Sequence, residues 1–553
     1  MAAEALLAVE DLRLRAGSQD LVRGVSFEIA PGEAVGLVGA SGCGKSMTTL
    51  ALLGLLPEGV ELVGGAIRFG GEGLEGMSER AWRKIRGARI GLVFQDPAAA
   101  LNPVLRVGFQ VEEVLAAHGT AGPSRAERRA RVVELFREVR LPDPEALLDR
   151  FPHQLSGGQR QRVMIAIALA GEPELLLADE PTTALDVTVQ AAILDLVTRI
   201  RQERGLALLW ISHDLGVIAQ VCERVLVMHD GQLVEEGQVA EVLRFPASQG
   251  AKRLLDALPR AAREGATGAD EADSAGDQTS APSASPAVLR ITDLRVQYPA
   301  ERNVWGRVQS WTAAVDGVSL EVPAGGTLAL VGESGSGKSS LGRAVLRLVA
   351  AEGQIELQPP GEAALPLHAL QGADLRAARR RLGVVFQDPA RSLNPRLKIG
   401  VSVTEPLAIH RACPRAELPA RARQLLEMVE LDPEMAERYP AEMSGGQKQR
   451  VAIARALALD PLLVILDEAV SALDVAVQQT VLRLLERLQR ERGSSYLFIT
   501  HDLAVVEDFA DQVAVMKDGR IVEQGAVSRV FARPEHAYTA ELLAASPRLP
   551  AVS

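Results

Sequence analysis

The chain has 553 residues, of which 47% are apolar and 24% are charged, and its formal net charge is −11. This length exceeds what one hydrophobic core supports and predicts at least two domains. The acidic balance argues against a general nucleic-acid binder, and Cys43, Cys222 and Cys413 lack metal-ligand spacing, so we expect reduced thiols and no nucleic-acid partner.

Two patterns bear on membranes. The first residues lack a basic segment followed by an apolar one, so we expect no secretory signal. The longest apolar stretch, residues 163–178, is interrupted by Glu172, Pro173 and Glu174. It falls short of the roughly 18 uncharged residues of a membrane-spanning helix. We therefore expect no direct membrane insertion.

The first motif follows the apolar run at residues 34–38. Gly39-Ala40-Ser41-Gly42-Cys43-Gly44-Lys45-Ser46 fits the phosphate-loop pattern G-x-x-x-x-G-K-[ST]. Glycines allow backbone N–H groups to turn inward around phosphate oxygens, and the next helix points its N-terminus at the anion. The pattern predicts that Lys45 reaches the β- and γ-phosphates and that Ser46 ligates Mg²⁺.

Further along, an Arg- and Glu-rich stretch at residues 125–140 has helical spacing and predicts an inserted helical subdomain. Ser156-Gly157-Gly158-Gln159 precedes a long helix, whose small first residues leave its N-terminus open to an anion.

The apolar run at residues 175–178 ends in Asp179-Glu180, and the run at 206–211 is followed by His213. Asp179 is suited to hold a hydrated Mg²⁺, and Glu180 to act as general base.

Residues 260–287 have almost no large apolar side chain. Ala, Gly, Ser and acidic residues dominate this stretch, so it buries too little surface to offset the entropy of ordering. We predict a flexible linker there, between domains at residues 1–259 and 288–553.

The second half repeats the motifs of the first in the same order. Ser-Gly-Gly-Gln, Asp-Glu and His recur at one fixed offset, which indicates a duplicated domain. Short apolar runs recur at 327–331, 462–466 and 496–500, and a helical pattern at 419–429; runs without alternation predict a parallel sheet buried on both faces. The second set of motif residues is Gly332-Glu333-Ser334-Gly335-Ser336-Gly337-Lys338-Ser339, Gln387, Ser444-Gly445-Gly446-Gln447, Asp467, Glu468 and His501.

With these motifs in both halves, the chain resembles a fused pair of ABC-transporter ATPase subunits over nearly everything but the linker. The resemblance implies an α/β fold with two P-loop, RecA-like domains, each with a helical and an antiparallel β subdomain. It implies ATP and Mg²⁺ as cofactors, and two domains that close head to tail.

Each ATP would then lie between one half's phosphate loop and the other half's Ser-Gly-Gly-Gln. Site one combines residues 39–46, Gln95, Asp179, Glu180 and His213 with Ser444–Gln447, and site two combines 332–339, Gln387, Asp467, Glu468 and His501 with Ser156–Gln159. The resemblance makes Glu180, His213, Glu468 and His501 catalytic, the histidines by contact with the γ-phosphate. It makes Ser46, Gln95, Asp179, Ser339, Gln387 and Asp467 the Mg²⁺ ligands. Neither half lacks a catalytic residue, so we expect two hydrolytic sites.

The family stacks adenine on an aromatic side chain ahead of the phosphate loop. Tyr298 fits that position in the second half, whereas the first half offers Ala16. We expect weaker ATP binding, or tolerance of other nucleotides, at site one.

Further segments resemble oligopeptide, dipeptide and nickel importers. They are Leu101-Asn102-Pro103, Leu393-Asn394-Pro395 and a tail at 531–550 with His536-Ala537-Tyr538-Thr539, whereas the first tail, 245–259, is degenerate at Ser248-Gln249-Gly250-Ala251. No cysteine follows Cys413, so we expect no iron–sulfur cluster in the tail.

This resemblance implies import of di- or oligopeptides. It also implies two transmembrane permease subunits, a solute-binding protein, and a peripheral location on the cytoplasmic face of the inner membrane. Alternatives are nickel, glutathione or another small solute as cargo. A soluble tandem ATPase acting on ribosomes is a remoter alternative, which the short acidic linker disfavours.

Overall fold

The computed structural model describes residues 5–120, 122, 124–182, 185–256, 286–302, 308–471 and 473–546. Apart from its last two residues, the predicted linker at 260–287 lies outside these ranges. No described helix is long and apolar enough to cross a membrane.

The first half contains two sheets. An antiparallel sheet has the strand order β2-β1-β4-β5, and a six-stranded sheet has the order β10-β9-β3-β8-β7-β6, parallel except for β10. β1–β10 span Leu7–Ala16, Gln19–Ile29, Ala34–Val38, Val60–Phe69, Glu72–Gly73, Ile90–Val93, Leu175–Asp179, Ala207–Ser212, Arg224–His229 and Gln232–Gln238.

Helices cover the parallel sheet and form a subdomain between β6 and β7. The predicted helix at 125–140 is Arg125–Glu138; Ser124 and Glu127 form a capping box at its start, and Val132, Leu135 and Phe136 are buried along one side. The α-helices of this half are Lys45–Leu52, Glu79–Trp82, Pro97–Ala100, Val107–His118, Arg125–Glu138, Pro144–Leu147, Gly157–Leu169, Val187–Arg204, Leu215–Val221, Val239–Arg244 and Gln249–Asp256.

The second half repeats this architecture, with the sheet orders β12-β11-β14-β15 and β16-β17-β18-β13-β19-β20. β11–β20 span Ala287–Arg302, Val308–Pro323, Thr327–Val331, Glu352–Leu357, Leu365–Pro366, Leu382–Val385, Leu463–Asp467, Ser495–Thr500, Gln512–Lys517 and Arg520–Ala526. Its α-helices are Lys338–Val345, Gly372–Arg379, Pro389–Ser392, Ile399–Ile409, Leu418–Met428, Gly445–Leu457, Val475–Arg492, Leu503–Phe509, Val527–Ala532 and Ala537–Ala545.

The predicted apolar runs form the centre of each parallel sheet. Every residue of β3, β8, β13 and β18 is buried, because helices pack on both faces of these strands. Parallel strands end at the same edge of a sheet, so the segments that follow β3, β7 and β8 converge there. The predicted fold class, two α/β P-loop domains with helical and antiparallel β subdomains, is confirmed.

Candidate functional site

The two phosphate loops share one geometry. Each follows a buried strand, and Gly44 and Gly337 begin the next helix with φ of 107° and 106°, a conformation that disfavours larger residues. Lys45 Nζ donates to the carbonyl oxygens of Gly39 at 2.7 Å and Ala40 at 3.1 Å. Lys338 Nζ makes the same pair of bonds, to Gly332 at 2.6 Å and to Glu333 at 2.7 Å.

Both ammonium groups are buried within their loops. Burial lowers the pKa of Lys338 despite the carboxylates of Glu468, Asp186 and Asp467 nearby. A phosphate would present anionic oxygens to the same Nζ atom and replace bonds from an ammonium to neutral carbonyl oxygens by bonds between opposite charges.

A serine–aspartate pair lies beside each loop. Ser46 Oγ donates to Asp179 Oδ1 at 3.2 Å, and Ser339 Oγ donates to Asp467 Oδ1 at 2.8 Å. Burial raises the pKa of both aspartates, although each serine bond lowers it. A hydroxyl and a carboxylate oxygen in contact are the hard ligands that Mg²⁺ prefers, and the residues present fit that ion.

These pairs hold a metal only together with other ligands. Within the described ranges, no group of three or more His, Cys, Asp and Glu side chains is arranged around one metal position. Mg²⁺ characteristically completes its shell with water and substrate phosphates. The ion would therefore bind with the nucleotide rather than before it.

Each candidate general base is held at both carboxylate oxygens. Gln95 Nε2 donates to Glu180 Oε2 at 2.9 Å, and His213 Nδ1 lies 3.3 Å from Glu180 Oε1. In the second half, Gln387 Nε2 donates to Glu468 Oε2 at 2.5 Å, and His501 Nδ1 lies 3.6 Å from Glu468 Oε1.

The electrostatics of these pairs are reciprocal. Burial lowers the pKa of His213 and His501, but the bond and charge of the paired glutamate outweigh it, so both pKa values lie above the ordinary one. Burial likewise raises the pKa of Glu468, and His501 outweighs it, so this glutamate stays ionised. A held carboxylate next to the strand end is poised to accept a proton from water.

Backbone conformation adds to this constraint. Glu180 and Glu468 have φ of 45° and 47°, in the left-handed region that few residues other than glycine adopt. The turn after each strand aims these side chains toward the segment that carries His213 or His501.

Each Ser-Gly-Gly-Gln segment begins a helix and caps it. Ser156 Oγ accepts from Gln159 N at 3.2 Å, and Gln159 Oε1 accepts from Ser156 N at 3.0 Å; Ser444 and Gln447 do the same. The first glycine of each pair, Gly157 or Gly445, leaves the helix N-terminus without a side chain, whereas a Cβ on Gly158 or Gly446 would lie 2.6 Å from a valine of the next helix.

Contacts across the halves involve the second phosphate loop. Asp186 Oδ1 accepts from Ser334 N at 2.7 Å, and Thr188 Oγ1 donates to Glu333 Oε1 at 2.8 Å. No hydrogen bond between residues that the structure describes joins either Ser-Gly-Gly-Gln segment to the other half's loop. The structure thus assembles loop, serine–aspartate pair, glutamate, glutamine and histidine within each half, and head-to-tail completion of the sites stays a prediction.

Two aromatic residues complete the inventory. Tyr298 is half-buried against the second half's core, with its hydroxyl buried and unpartnered, and its counterpart Ala16 offers no ring. Sequence reasoning assigned Tyr538 to a family tail and missed a site contact: its hydroxyl accepts from Glu333 N at 3.1 Å. The one sequence feature that could have indicated this contact is that the first half's tail lacks the His536-Ala537-Tyr538-Thr539 pattern.

Comparison with protein families identifies both halves. The ABC transporter model matches residues 22–183 and 315–471. The glutathione import ATP-binding protein GsiA of Pectobacterium atrosepticum is 45% identical over 96% of this chain and 86% of that protein. The GsiA of Escherichia coli K12 is 44% identical over 98% of this chain and 89% of that protein. A dimeric bacterial ABC transporter cassette of known structure is 30% identical over 42% of this chain and 98% of that one, with a TM-score of 0.39.

Proposed function

The chain belongs to the ABC transporter family and is an ATP-hydrolysing subunit of an importer, and from this premise we propose that the imported cargo is glutathione or a closely related small peptide. Relatives named for glutathione import match the chain almost end to end, which favours this alternative over general di- or oligopeptide import. This end-to-end similarity is the observation that carries the proposed cargo.

The proposed energy source is hydrolysis at two ATP sites. Lys45 and Lys338 bind the β- and γ-phosphates. Ser46 and Asp179 with Gln95, and Ser339 and Asp467 with Gln387, would hold Mg²⁺, which would neutralise charge on the phosphates.

The side chains of this chain perform the proton chemistry. Glu180 and Glu468 each accept a proton from an attacking water, whose oxygen bonds to the γ-phosphorus as the bond to the leaving ADP oxygen breaks. His213 and His501 hold these glutamates and contact the γ-phosphate. The Gln–Glu–His arrangement present in both halves supports two active sites.

Closure of the halves around ATP completes each site with the other half's Ser-Gly-Gly-Gln. The contact of Asp186 with the second phosphate loop supports this head-to-tail order. Asp186 belongs to the first half, between Glu180 and the helix Val187–Arg204, yet it accepts a hydrogen bond from Ser334 N of the second half's loop. Loss of the γ-phosphate then reopens the halves.

The proposed partners are two transmembrane permease subunits and a solute-binding protein. The chain itself is proposed to lie peripherally on the cytoplasmic face of the inner membrane. The helical subdomains carry closure to the permeases through Gln95 and Gln387, whose amides touch the catalytic glutamates. Nucleotide state at each glutamate is thereby linked to the segment that leads into the helical subdomain.

Co-purification tests the proposal. Membranes are solubilised in mild detergent, the chain is isolated, and the proteins bound to it are identified. Two multi-span permeases in a one-to-one-to-one ratio support an importer, whereas ribosomal proteins together with absence from the membrane fraction overturn it.

The associated solute-binding protein then decides the cargo. It is titrated with glutathione, an unrelated dipeptide and Ni²⁺, and tightest binding of glutathione is expected. When uptake of the solute is measured, the matched control is a chain with both Glu180→Gln and Glu468→Gln. This chain should bind the same partner subunits but should not hydrolyse ATP. Tightest binding of the dipeptide would restore the broader peptide assignment.

A further inference from the structure

A polar cluster that spans the halves surrounds the second phosphate loop. We call Asp186, Thr188, Glu333, Ser334 and Tyr538 the trans-half cluster. The first half supplies Asp186 and Thr188, which bond to Ser334 N and Glu333 Oε1, while Tyr538 from the C-terminal helix accepts from Glu333 N. Two successive backbone donors of the loop are thus held from two directions.

Among the residues that the structure describes, no corresponding cluster lies at the first phosphate loop. Glu333 and Ala40 are each the second residue of their phosphate loop. The common offset of the Ser-Gly-Gly-Gln segments pairs Thr188 with Ala476 and Tyr538 with Gly250, and none of Ala40, Ala476 and Gly250 has a polar side chain. Asp474, which corresponds to Asp186, instead accepts from Val477 N of its own half at 3.0 Å. Asp186 makes no such capping bond, so its carboxylate is available to the opposite loop.

Tyr538 is fixed before it meets the loop. Its side chain is 3% exposed, and Lys517 Nζ lies 4.4 Å from the centre of its ring. His536 Nδ1 caps the helix by accepting from Tyr538 N at 3.1 Å, and Glu523 accepts from His536 N at 3.1 Å. Burial raises the pKa of Tyr538 to about 12, so the hydroxyl is intact at neutral pH.

The helix that carries Tyr538 also touches the first half. Ala537–Ala545 packs against Val187–Arg204, the helix that begins directly after Asp186. The helix that carries Tyr538 therefore also contacts the helix that follows Asp186 and carries Thr188. A change in the docking of the halves moves Asp186 and Thr188 relative to the second loop, whereas Tyr538 stays with the half that contains the loop.

We propose that Tyr538 is a positioning residue of the second nucleotide site, and that the trans-half cluster preorders the loop Gly332–Ser339 whenever the halves are docked. The two ATP sites are then unequal: affinity at the second depends on half–half contact before nucleotide arrives, and affinity at the first does not. The inference rests on the proposed function, in which both loops bind ATP. Preordering raises affinity because less conformational entropy is lost on binding.

The test measures each site alone in the full-length chain. Lys45→Ala leaves the second loop to bind, and Lys338→Ala leaves the first; a fluorescent ATP analogue with Mg²⁺ is titrated into each. Tyr538→Phe keeps the ring over Lys517 and removes the hydroxyl. It should raise Kd about 3- to 10-fold in the Lys45→Ala chain and leave Kd unchanged in the Lys338→Ala chain, as expected for one neutral hydrogen bond.

Thr188 supplies an independent arm. Thr188→Val removes the hydroxyl at constant shape and should weaken the second site only, whereas Thr188→Ser keeps the hydroxyl and should restore affinity. If the Tyr538→Phe chain fails to fold, the two Thr188 variants still test whether the cluster affects affinity at the second site. Equal weakening of both sites, unchanged affinity at the second site, or identical behaviour of the Val and Ser variants would overturn the inference.

Failure of the premise looks different. A Lys45→Ala chain that binds no nucleotide before any further substitution would remove the second ATP site itself, and with it the proposed function. In that case the cluster is not a nucleotide-positioning device.

Discussion

At the scale of single residues, Glu180 and Glu468 are held in the same way by a glutamine and a histidine. Glutamine at either position keeps the shape and an acceptor oxygen but cannot take a proton. The two halves therefore allow the contribution of each base to be measured separately.

We predict that Glu180→Gln and Glu468→Gln each remove the turnover of one site. Loss of a general base slows its step by typically 10²- to 10⁴-fold, so each single variant should keep about half of the ATPase activity or less, and the double variant almost none. Steady-state phosphate release measures this. A single variant with full activity would show that its site does not hydrolyse ATP.

We predict a pH-dependent contribution of the His501–Glu468 pair to stability. Because the folded pKa of His501 is raised, its contribution is complete below the unfolded value of about 6.5 and is lost as pH rises through the folded value. The lowered pKa of Glu468 makes its contribution present above about pH 4.3 and lost as pH falls through the folded value. His501→Gln should therefore lower the thermal midpoint most between about pH 5 and 6.5.

Thermal unfolding of both chains at pH 5, 6, 7 and 8 checks this. A deficit in the variant that grows as pH rises above 6.5 would contradict the predicted pairing.

We predict that the aromatic difference between the halves affects nucleotide affinity. Tyr298→Ala should weaken the second site, and Ala16→Tyr should strengthen the first, each by up to the 1–3 kcal/mol of one stacked base. The single-site chains with Lys45→Ala and Lys338→Ala measure this with ATP and GTP. Equal affinity of both unsubstituted sites for both nucleotides would contradict the prediction.

At the scale of elements, the helices Gly157–Leu169 and Gly445–Leu457 begin with two glycines that differ in surroundings. A Cβ on Gly446 would lie 2.6 Å from Val477 Cγ1, whereas a Cβ on Gly445 would have no heavy atom within 4 Å. Packing against Val477 therefore requires glycine at position 446, whereas the space beside Gly445 is open at the N-terminus of the helix.

We predict that alanine substitutions at Gly445 and Gly446 have different effects, one on ATPase activity and the other on stability. Gly446→Ala should destabilise the chain by about 1–3 kcal/mol, because Val477 must move. Gly445→Ala should leave stability unchanged and lower ATPase activity, because in the proposed head-to-tail arrangement the methyl group would project toward the nucleotide of the opposite half. Denaturant unfolding and phosphate release measure the pair; equal loss of stability in both would contradict the assignment.

Sequence reasoning reached the elements whose signal is local. The runs at 34–38 and 327–331 are β3 and β13 to the residue, since runs of five residues that end at a glycine-rich loop are too short for a buried helix. Other bounds moved by one or two residues, as with β17, which starts at Leu463 and extends to Asp467. The carboxylates therefore lie at strand ends, where they were predicted.

Contacts that depend on docking were not predictable. Nothing in the sequence marks Thr188 as a partner of Glu333 in the second phosphate loop, and only the packing of one half on the other brings Thr188 Oγ1 to 2.8 Å from Glu333 Oε1. The antiparallel strands β11 and β12 have 16 residues each, against 10 and 11 in β1 and β2 of the first half, and no local sequence signal distinguishes the longer pair.

At the scale of the whole molecule, the head-to-tail assignment makes a prediction about pairs of substitutions. Gly157→Asp and Gly445→Asp add a charge that repels phosphate, at positions where an added Cβ would have no heavy atom closer than 3.7 Å. An acidic residue in the first turn also favours the helix, so folding should be retained.

We predict that Lys45→Ala with Gly445→Asp removes one site, because both lie at site one, and that Lys45→Ala with Gly157→Asp impairs both sites. Phosphate release should therefore be clearly higher in the first double variant. The reverse order would mean that each half forms a complete site by itself.

Fusion of the halves has an evolutionary consequence that the asymmetric cluster illustrates. In a symmetric pair of identical subunits every interface residue is used twice, so Thr188 and Glu333 would appear at both sites or neither. One polypeptide is free of this self-complementarity, and a substitution on one side of the interface can be selected without imposing its mirror image. Thr188, Glu333 and Tyr538 stand where the other half has Ala476, Ala40 and Gly250, a one-sided difference that two identical subunits could not carry.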